Sequence, residues 1–117
     1  MTESPYVPEA GDVIWTDFDP RTGREQSGRR PALVLSAAAF FEASAFVIVC
    51  PITSTIRSYG SSVILPHGLP LRGEILTSHI RSIDGTARPL RFAGFAAPPA
   101  TLQEVRAKLA VLCGIVD

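Results

Sequence analysis

Four arginines in one polar segment are the residues of this sequence best suited to chemistry. The segment, residues 20–31, contains no apolar side chain. Its basic residues are Arg21, Arg24, Arg29 and Arg30, and its one acid is Glu25. A guanidinium group can contact two oxygens of one phosphate, and the N–H groups of nearby glycines add further donors. The segment therefore predicts a phosphate-binding loop, and the alternative is a solvated loop with weak surface ion pairs.

The net charge of the chain conceals this local concentration. The sequence has 117 residues, with 11 Lys and Arg against 11 Asp and Glu, so its formal net charge is zero. This balance excludes a uniformly basic surface for nucleic acid. All the basic residues except Lys108 are arginines, however, and the polar segment holds four of them. We therefore expect a single domain, residues 1–117, with one local positive site.

Six short segments have the composition of β-strands. They are rich in β-branched and aromatic residues, and proline or glycine separates most of them. The predicted strands are residues 12–19, 32–35, 46–52, 62–65, 74–80 and 88–95. The second and third are apolar on both faces, which indicates central strands or strands covered by a helix or a second subunit. Their close spacing predicts an antiparallel sheet curled into a small barrel.

The C-terminal region has the period of an amphipathic helix. One predicted helix face consists of Leu102, Val105, Leu109 and Leu112. Pro99 suits the first turn and Gly114 suits a left-handed cap, while a capping box of Thr101 and Glu104 is an alternative start. Residues 37–44 predict a short helix or turn. The expected fold class is therefore α+β and rich in β-structure.

The cysteines and the N-terminal residues indicate the cellular compartment in which the protein is expected. Cys50 and Cys113 match no metal-binding spacing and are predicted as buried free thiols, which indicates a reducing compartment. Residues 1–8 have neither the basic nor the apolar region of a signal peptide. The longest apolar stretch, residues 37–50, is too short to span a bilayer. We expect a cytoplasmic protein without a membrane segment or a bound metal.

Motifs along the chain resemble the MazF/PemK family of toxin endoribonucleases. Gly-Asp-Val-Ile-Trp at residues 11–15 is followed by Asp-Phe-Asp-Pro at residues 17–20. Gly-Arg-Glu-Gln-Ser-Gly-Arg-Arg-Pro then occupies residues 23–31. Pro-Ile-Thr-Ser at residues 51–54 and Arg-Ser-Ile-Asp at residues 81–84 complete the set. The resemblance covers nearly the whole chain, with the motifs in the family's order and spacing.

The resemblance implies a homodimer of SH3-like barrels, each with a C-terminal helix, that cleaves single-stranded RNA such as mRNA at short motifs. Cleavage in this family is a transphosphorylation without metal or cofactor, which leaves a 2′,3′-cyclic phosphate and a 5′-hydroxyl. The usual partner is a MazE-like antitoxin whose flexible acidic tail covers the RNA groove. The family's functional arginine, threonine and loop acid correspond to Arg30, Thr53 and Glu25.

These residue types suit phosphoryl transfer. Arg30 can contact two phosphoryl oxygens while Thr53 or Ser54 adds a hydroxyl donor, and together they stabilise charge on the phosphorane. Arginine stays protonated and is therefore a poor base. Glu25 is a candidate base, although it can instead orient Arg29 or Arg30 through an ion pair.

His79 is the second candidate for proton transfer, because histidine changes charge near neutral pH. Better-known family members carry an acid at the position of Ser78, so an Asp-based mechanism does not carry over. Alternation along the predicted strand 74–80 places His79 opposite Leu76 and Ile80, on a face that a groove can use. A base-stacking contact or an incidental surface position are the alternatives.

Further residues are candidates for RNA contacts. Phe18 lies at the mouth of the polar segment and suits stacking on a base, whereas Trp15 is expected in the core. The candidate RNA-binding set is Phe18, Arg24, Gln26, Arg29, Ser54, Arg81 and Arg88. For Arg81 and Arg88 a solvated strand edge is the alternative.

Two other functions are compatible with the pattern. Gyrase-poisoning toxins share the barrel, but their determinant lies at the C-terminus, where residues 112–117 lack an aromatic tip. A non-catalytic RNA-binding barrel would use the arginines for binding alone. Cleavage of RNA but not of DNA separates these three functions.

Overall fold

Seven strands and two helices form residues 5–18 and 29–115, the part of the chain that the structure, a computed structural model, describes. The strands are β1 (Asp12–Asp17), β2 (Arg29–Val34), β3 (Phe46–Thr53), β4 (Val63–Ile64), β5 (Glu74–Ile75), β6 (Arg81–Asp84) and β7 (Leu90–Ala96). The helices are α1 (Ala38–Ser44) and α2 (Pro99–Leu112), and a 3₁₀ turn at Thr77–His79 precedes β6. The α+β class expected from the sequence is confirmed.

The described strands pair only in the antiparallel direction. Their order is β4-β5-β3-β2-β1-β7, and β6 pairs with β3 beside this path. β3 changes partner along its length: it pairs with β6 at residues 46–49 and with β5 at residues 52–53. These pairings leave the described sheet open, with β4 and β7 at its ends, rather than closed into a barrel.

β2 and β3 are buried on both faces within a single chain. Leu33 and Cys50, which are paired in register, belong to one core cluster together with Val105 of α2. Val34 and Val49 belong to a second cluster on the opposite face. That cluster also contains Ile14, Ala32, Val47 and Ile83, and it is covered by Tyr6, Phe18, Phe41 and Leu90. The two apolar faces are thus explained by central positions in the sheet, without a second subunit.

α2 closes one side of the core. Pro99 occupies its first turn, as expected, and Gly114 beyond its end has a left-handed φ of 72°. The Thr101 capping box is not formed, because the helix begins after Pro98 and the Thr101 N–H donates to the Pro98 carbonyl. The apolar face is buried only as far as Leu109, and Leu112 is exposed. Among the described residues, no helix combines the length and apolar character that crossing a membrane requires.

Two expectations from the sequence are wrong. The predicted strand 74–80 is only two residues long, because the Leu76 N–H donates to the Pro51 carbonyl and the chain then turns through the 3₁₀ segment. Cys113 is exposed rather than buried, since α2 ends before its last turn reaches the core, whereas Cys50 is buried as expected. Burial raises the pKa of the Cys50 thiol to about 12.

Candidate functional site

The start of β2 and the end of β3 form the walls of a first cleft. Ala32 of β2 pairs with Pro51 of β3 in the antiparallel direction. Arg29 and Arg30 come just before Ala32, and Thr53 comes just after Pro51, so these residues lie near one another at the same end of the two strands. The open cleft has a volume of about 360 Å³. It is lined by Trp15, Arg29, Arg30, Pro31, Ile52, Thr53, Ser54, Thr55, Leu71 and Arg72. The structure therefore brings together four of the predicted site residues, namely Arg29, Arg30, Thr53 and Ser54.

A second cleft, of about 380 Å³, shares Thr53 and Thr55 with the first. Its lining residues are Thr53, Thr55, Arg57, Tyr59, Ser61, Leu76, Ser78 and His79. His79 reaches this cleft from the 3₁₀ turn and not through strand alternation. The predicted alternation is wrong, because Leu76 lines the same cleft as His79, whereas Ile75 and Thr77 are fully buried. Thr53 thus lies at the junction of the arginine cleft and the histidine cleft.

The walls of both clefts are electropositive. Arg29, Arg30 and Arg72 line the first cleft and Arg57 lines the second, and all four side chains are exposed. Within residues 5–18 and 29–115, no carboxylate lines either cleft. Guanidinium groups around a concave surface concentrate positive potential there. The pair of clefts is therefore suited to an extended anion.

The Thr53 hydroxyl is held as an acceptor. The backbone N–H of Thr55 donates to Thr53 Oγ1 over 3.1 Å. A hydroxyl has one hydrogen to donate and two lone pairs that accept, so this bond leaves the Thr53 hydrogen free. Thr53 can therefore donate to an oxyanion placed in either cleft.

Glu74 anchors the segment that follows Thr53. Its buried carboxylate accepts hydrogen bonds from the Ser62 hydroxyl and from the backbone N–H groups of Arg57, Ser58 and Tyr59. These bonds, that of Ser62 foremost, hold the pKa of the Glu74 carboxyl below its usual range, although burial acts in the opposite direction. Glu74 therefore remains ionised although it is buried.

Phe18, Arg81 and Arg88 form a separate cluster at the end of β1. The Arg81 guanidinium carbon lies 5.2 Å from the centre of the Phe18 ring, and Arg81 Nη1 donates to the Phe18 carbonyl over 3.3 Å. Arg88 Nη1 donates to the Asp17 carbonyl over 3.3 Å. The cluster lines neither of the two clefts. Its predicted role in RNA binding stays a prediction.

The remaining candidates in the polar segment, Arg24, Glu25 and Gln26, lie outside the described residues. The cleft residues that sequence reasoning missed include Arg57, Tyr59 and Arg72. Their signal in the sequence is weak, because each stands alone in a Ser-, Gly- or Pro-rich connection. Trp15, expected in the core, instead lines the first cleft and is only partly buried.

Comparison with known proteins shows which family the chain resembles over most of its length. Residues 9–113 match the family described as PemK-like, MazF-like toxin of type II toxin–antitoxin system. The chain is similar to the endoribonuclease toxin MazF of Escherichia coli (strain K12). The two are 40% identical over 111 residues, which cover 95% of this chain and 98% of that protein.

Solved structures show the same similarity. MazF from Deinococcus radiodurans (Form-I) aligns with a TM-score of 0.84 and 44% identity, over 94% of this chain and 99% of that one. The MazE–MazF structure (Form-II) from the same organism aligns with a TM-score of 0.82 and 40% identity, over 94% of this chain and 98% of that one. The similarity in fold therefore extends over most of the chain.

Proposed function

Since the chain belongs to the PemK-like, MazF-like toxin family of type II toxin–antitoxin systems, we propose that it is a toxin endoribonuclease that cleaves single-stranded RNA. The observation that carries this proposal is the position of Thr53, between two clefts with four arginines and no carboxylate on their described walls. Such a surface attracts a strand of phosphates. A single strand can run from one cleft to the other across Thr53. Cleavage of mRNA then inhibits translation and growth.

The reaction is a transphosphorylation at one phosphodiester. The ribose 2′-oxygen forms a bond to the adjacent phosphorus while the bond from phosphorus to the 5′-oxygen breaks. The products are a 2′,3′-cyclic phosphate and a 5′-hydroxyl. The 2′-hydroxyl loses one proton and the leaving oxygen gains one, so the net proton count does not change. DNA lacks the 2′-hydroxyl and cannot react in this way.

Arg30 and Thr53 stabilise the charge that develops on phosphorus. The Arg30 guanidinium contacts two non-bridging oxygens, and the Thr53 hydroxyl donates the hydrogen that its bond from Thr55 leaves free. Ser54, on the same wall, adds a second hydroxyl. Loss of one preorganised donor of this kind costs about 2.7–4 kcal/mol, or roughly 10²–10³ in rate.

Two residues are candidates for moving the protons. His79 lines the second cleft together with Thr53 and can protonate the leaving 5′-oxygen. Glu25, which corresponds to the family's loop acid, is a candidate base, and it can alternatively orient Arg29 or Arg30. The reaction needs no metal or other cofactor in this scheme, because the guanidinium and hydroxyl groups supply the charge stabilisation.

The partners follow from the same similarity. MazE–MazF complexes have been solved for the proteins of Deinococcus radiodurans. We infer that a MazE-like antitoxin inhibits this chain, with an acidic segment that competes with RNA for the positive clefts. We also infer that the chain acts as a homodimer in the cytoplasm, where its mRNA substrate is found.

Cleavage of RNA but not of DNA tests the proposed function. The purified protein is incubated in EDTA with a fluorogenic RNA and with an all-DNA strand of the same sequence. We expect cleavage of the RNA alone, with a 5′-hydroxyl and a 2′,3′-cyclic phosphate at the new ends. Sequencing the 5′-hydroxyl ends in digested total RNA then identifies the cleavage motif.

The outcomes of this assay separate the three functions. Binding of both strands without cleavage would identify a non-catalytic RNA-binding protein. Inhibition of purified gyrase without cleavage would identify a gyrase poison. The matched control is the double variant Arg30→Ala/Thr53→Ala, whose inactivity excludes a contaminating nuclease.

A further inference from the structure

Glu74 is a buried ion whose hydrogen-bond donors are all neutral. Its side chain is fully buried at the start of β5. The donors are the N–H groups of Arg57 at 2.7 Å, Ser58 at 3.2 Å and Tyr59 at 2.9 Å, together with the Ser62 hydroxyl. Burial of a carboxylate is costly unless each of its oxygens accepts hydrogen bonds, as both do here.

The segment that Glu74 binds has few other attachments among the described residues. Between β3 and β4 the chain forms no strand or helix. Outside the Glu74 bonds, the Thr55 N–H donates to Thr53 Oγ1, the Ser62 N–H donates to the Tyr59 carbonyl, and Lys108 Nζ of α2 donates to the Ser62 carbonyl over 2.8 Å. Three consecutive backbone N–H groups therefore depend on one carboxylate for their position.

This segment carries groups of the proposed active site. The Thr55 N–H orients the Thr53 hydroxyl, and Arg57 and Tyr59 line the second cleft. Thr53 and Glu74 are also paired directly across β3 and β5. Displacement of residues 55–59 would thus affect both the hydroxyl donor and the wall that receives the RNA.

We propose that Glu74 is a positioning residue of the active site: its carboxylate fixes residues 55–59 so that Thr53 is oriented and Arg57 faces the second cleft. Glu74 does not contact RNA in this scheme. The inference rests on the proposed endoribonuclease function and deepens it, because it assigns the preorganisation of the site to one buried charge.

Three variants of the full-length protein test this role. Glu74→Gln keeps the shape of the side chain but replaces one acceptor oxygen by an NH₂ group that faces N–H donors. Glu74→Asp keeps the carboxylate on a shorter stem and serves as the conservative rescue. Glu42→Gln, on the exposed surface of α1, is the matched control for loss of a carboxylate.

Backbone amide hydrogen exchange and steady-state kinetics on an RNA oligonucleotide are the two readouts. For Glu74→Gln we expect the amides of Arg57, Ser58 and Tyr59 to exchange at least about tenfold faster, while those of β1 and β2 do not change. We expect kcat to fall about tenfold and KM to rise about threefold, with partial recovery in Glu74→Asp. A merely structural role would lower the active fraction, and thus kcat, without raising KM.

A double variant tests whether Glu74→Gln changes KM through the position of Arg57. In an Arg57→Ala background, Glu74→Gln should raise KM no further, since the position of a missing guanidinium cannot matter. An additive rise in KM would overturn the inference. Unchanged exchange of the three amides, or unchanged kcat and KM with faster exchange, would overturn it as well.

The design remains decisive if Glu74→Gln does not fold. Ser62→Ala then replaces it, because it removes one of the four donors and leaves the charge in place. Faster exchange at residues 57–59 with a raised KM supports the inference, and wild-type values for both contradict it.

Failure of the wild-type protein to cleave any RNA would overturn the proposed function and this inference together. An active wild-type protein with an unaffected Glu74→Gln variant would overturn the inference alone.

Discussion

At the scale of single residues, chemistry was predictable where a motif marked it. Arg30 and Thr53 stand in recognisable runs of sequence, and the first cleft brings them together with Arg29 and Ser54. Arg57 and Arg72 stand alone in irregular connections, and only the folded chain places them beside Thr53. A lone arginine in a loop gives no indication of which cleft it lines, because its neighbours come from distant parts of the sequence.

The first prediction at the scale of residues concerns the loss of the Thr53 hydroxyl. Thr53→Ala should lower kcat roughly 10²–10³-fold, because the reaction loses a preorganised donor to the phosphorane. Thr53→Ser keeps the hydroxyl and should retain most of the activity. Single-turnover cleavage of a short RNA measures both variants, and circular dichroism checks their fold. Equal losses in the two variants would show that the methyl group, and not the hydroxyl, is what matters.

The second prediction at the scale of residues concerns the role of His79 in proton transfer. His79→Ala should flatten one limb of the dependence of kcat on pH, because the variant loses the imidazole that donates the proton in the proposed scheme. Histidine is the side-chain type that changes charge between about pH 5 and 8. The matched control is His67→Ala, which removes an exposed histidine outside both clefts. A His79→Ala variant with the wild-type pH profile and a raised KM would reduce His79 to an RNA contact.

At the scale of elements, most strands were predicted, and the division of residues 74–84 into two strands and a turn was not. β1, β3 and β7 lie within one or two residues of their predicted bounds, and α1 and α2 were located as well. β5 was overextended and β6 was missed, because residues 74–80 read as one strand-like run and residues 81–84 only as a motif. The pairing with Pro51 and the 3₁₀ turn, which divide that run, depend on contacts far apart in sequence.

Gly73 provides a prediction about how closely β3 and the start of β5 approach. A Cβ at this position would lie 2.6 Å from the Thr53 carbonyl oxygen and 2.8 Å from Ile52 Cγ2. Gly73→Ala should therefore force the strands apart, with a loss of stability of about 1–3 kcal/mol and a fall in activity.

Gly60→Ala is the control for Gly73, because a Cβ there meets nothing within 4 Å. Chemical denaturation and RNA cleavage measure both variants. A Gly73→Ala protein with wild-type stability and activity would show that the contact relaxes without consequence for Thr53.

At the scale of the whole molecule, the zero net charge and the positive site are compatible because a sum over the chain does not say where the charges lie. Four exposed arginines line the clefts, and among residues 5–18 and 29–115 no carboxylate lines either of them. Apolar side chains are also exposed at the end of α2. Beyond the buried face of α2, Val111 is 60% exposed and Ile115 is 73% exposed. Exposed apolar patches of this kind mark interaction surfaces.

The homodimer is the prediction at this scale. An apolar groove of about 410 Å³ lies beside Val111 and is also lined by Gly60, Ser61, Ala107, Lys108 and Leu112. We expect the wild-type protein to be a dimer by light scattering, and Val111→Glu to weaken the dimer by placing a charge in the patch. Ala39→Glu, on the exposed surface of α1, is the control. A wild-type monomer, or an undiminished dimer in Val111→Glu, would contradict this assignment.

The position of β3 has a consequence for how the toxin is switched off and on. The end of this strand that carries Thr53 is bonded to β5, and the residues just before it are bonded to β2. Opening this strand locally would break the pairings at the centre of the sheet, so an inhibitor gains little by distorting it. We therefore expect an antitoxin to act by covering a site that stays assembled beneath it. Recovery of the toxin then needs no refolding, and its rate is set by the removal of the inhibitor alone.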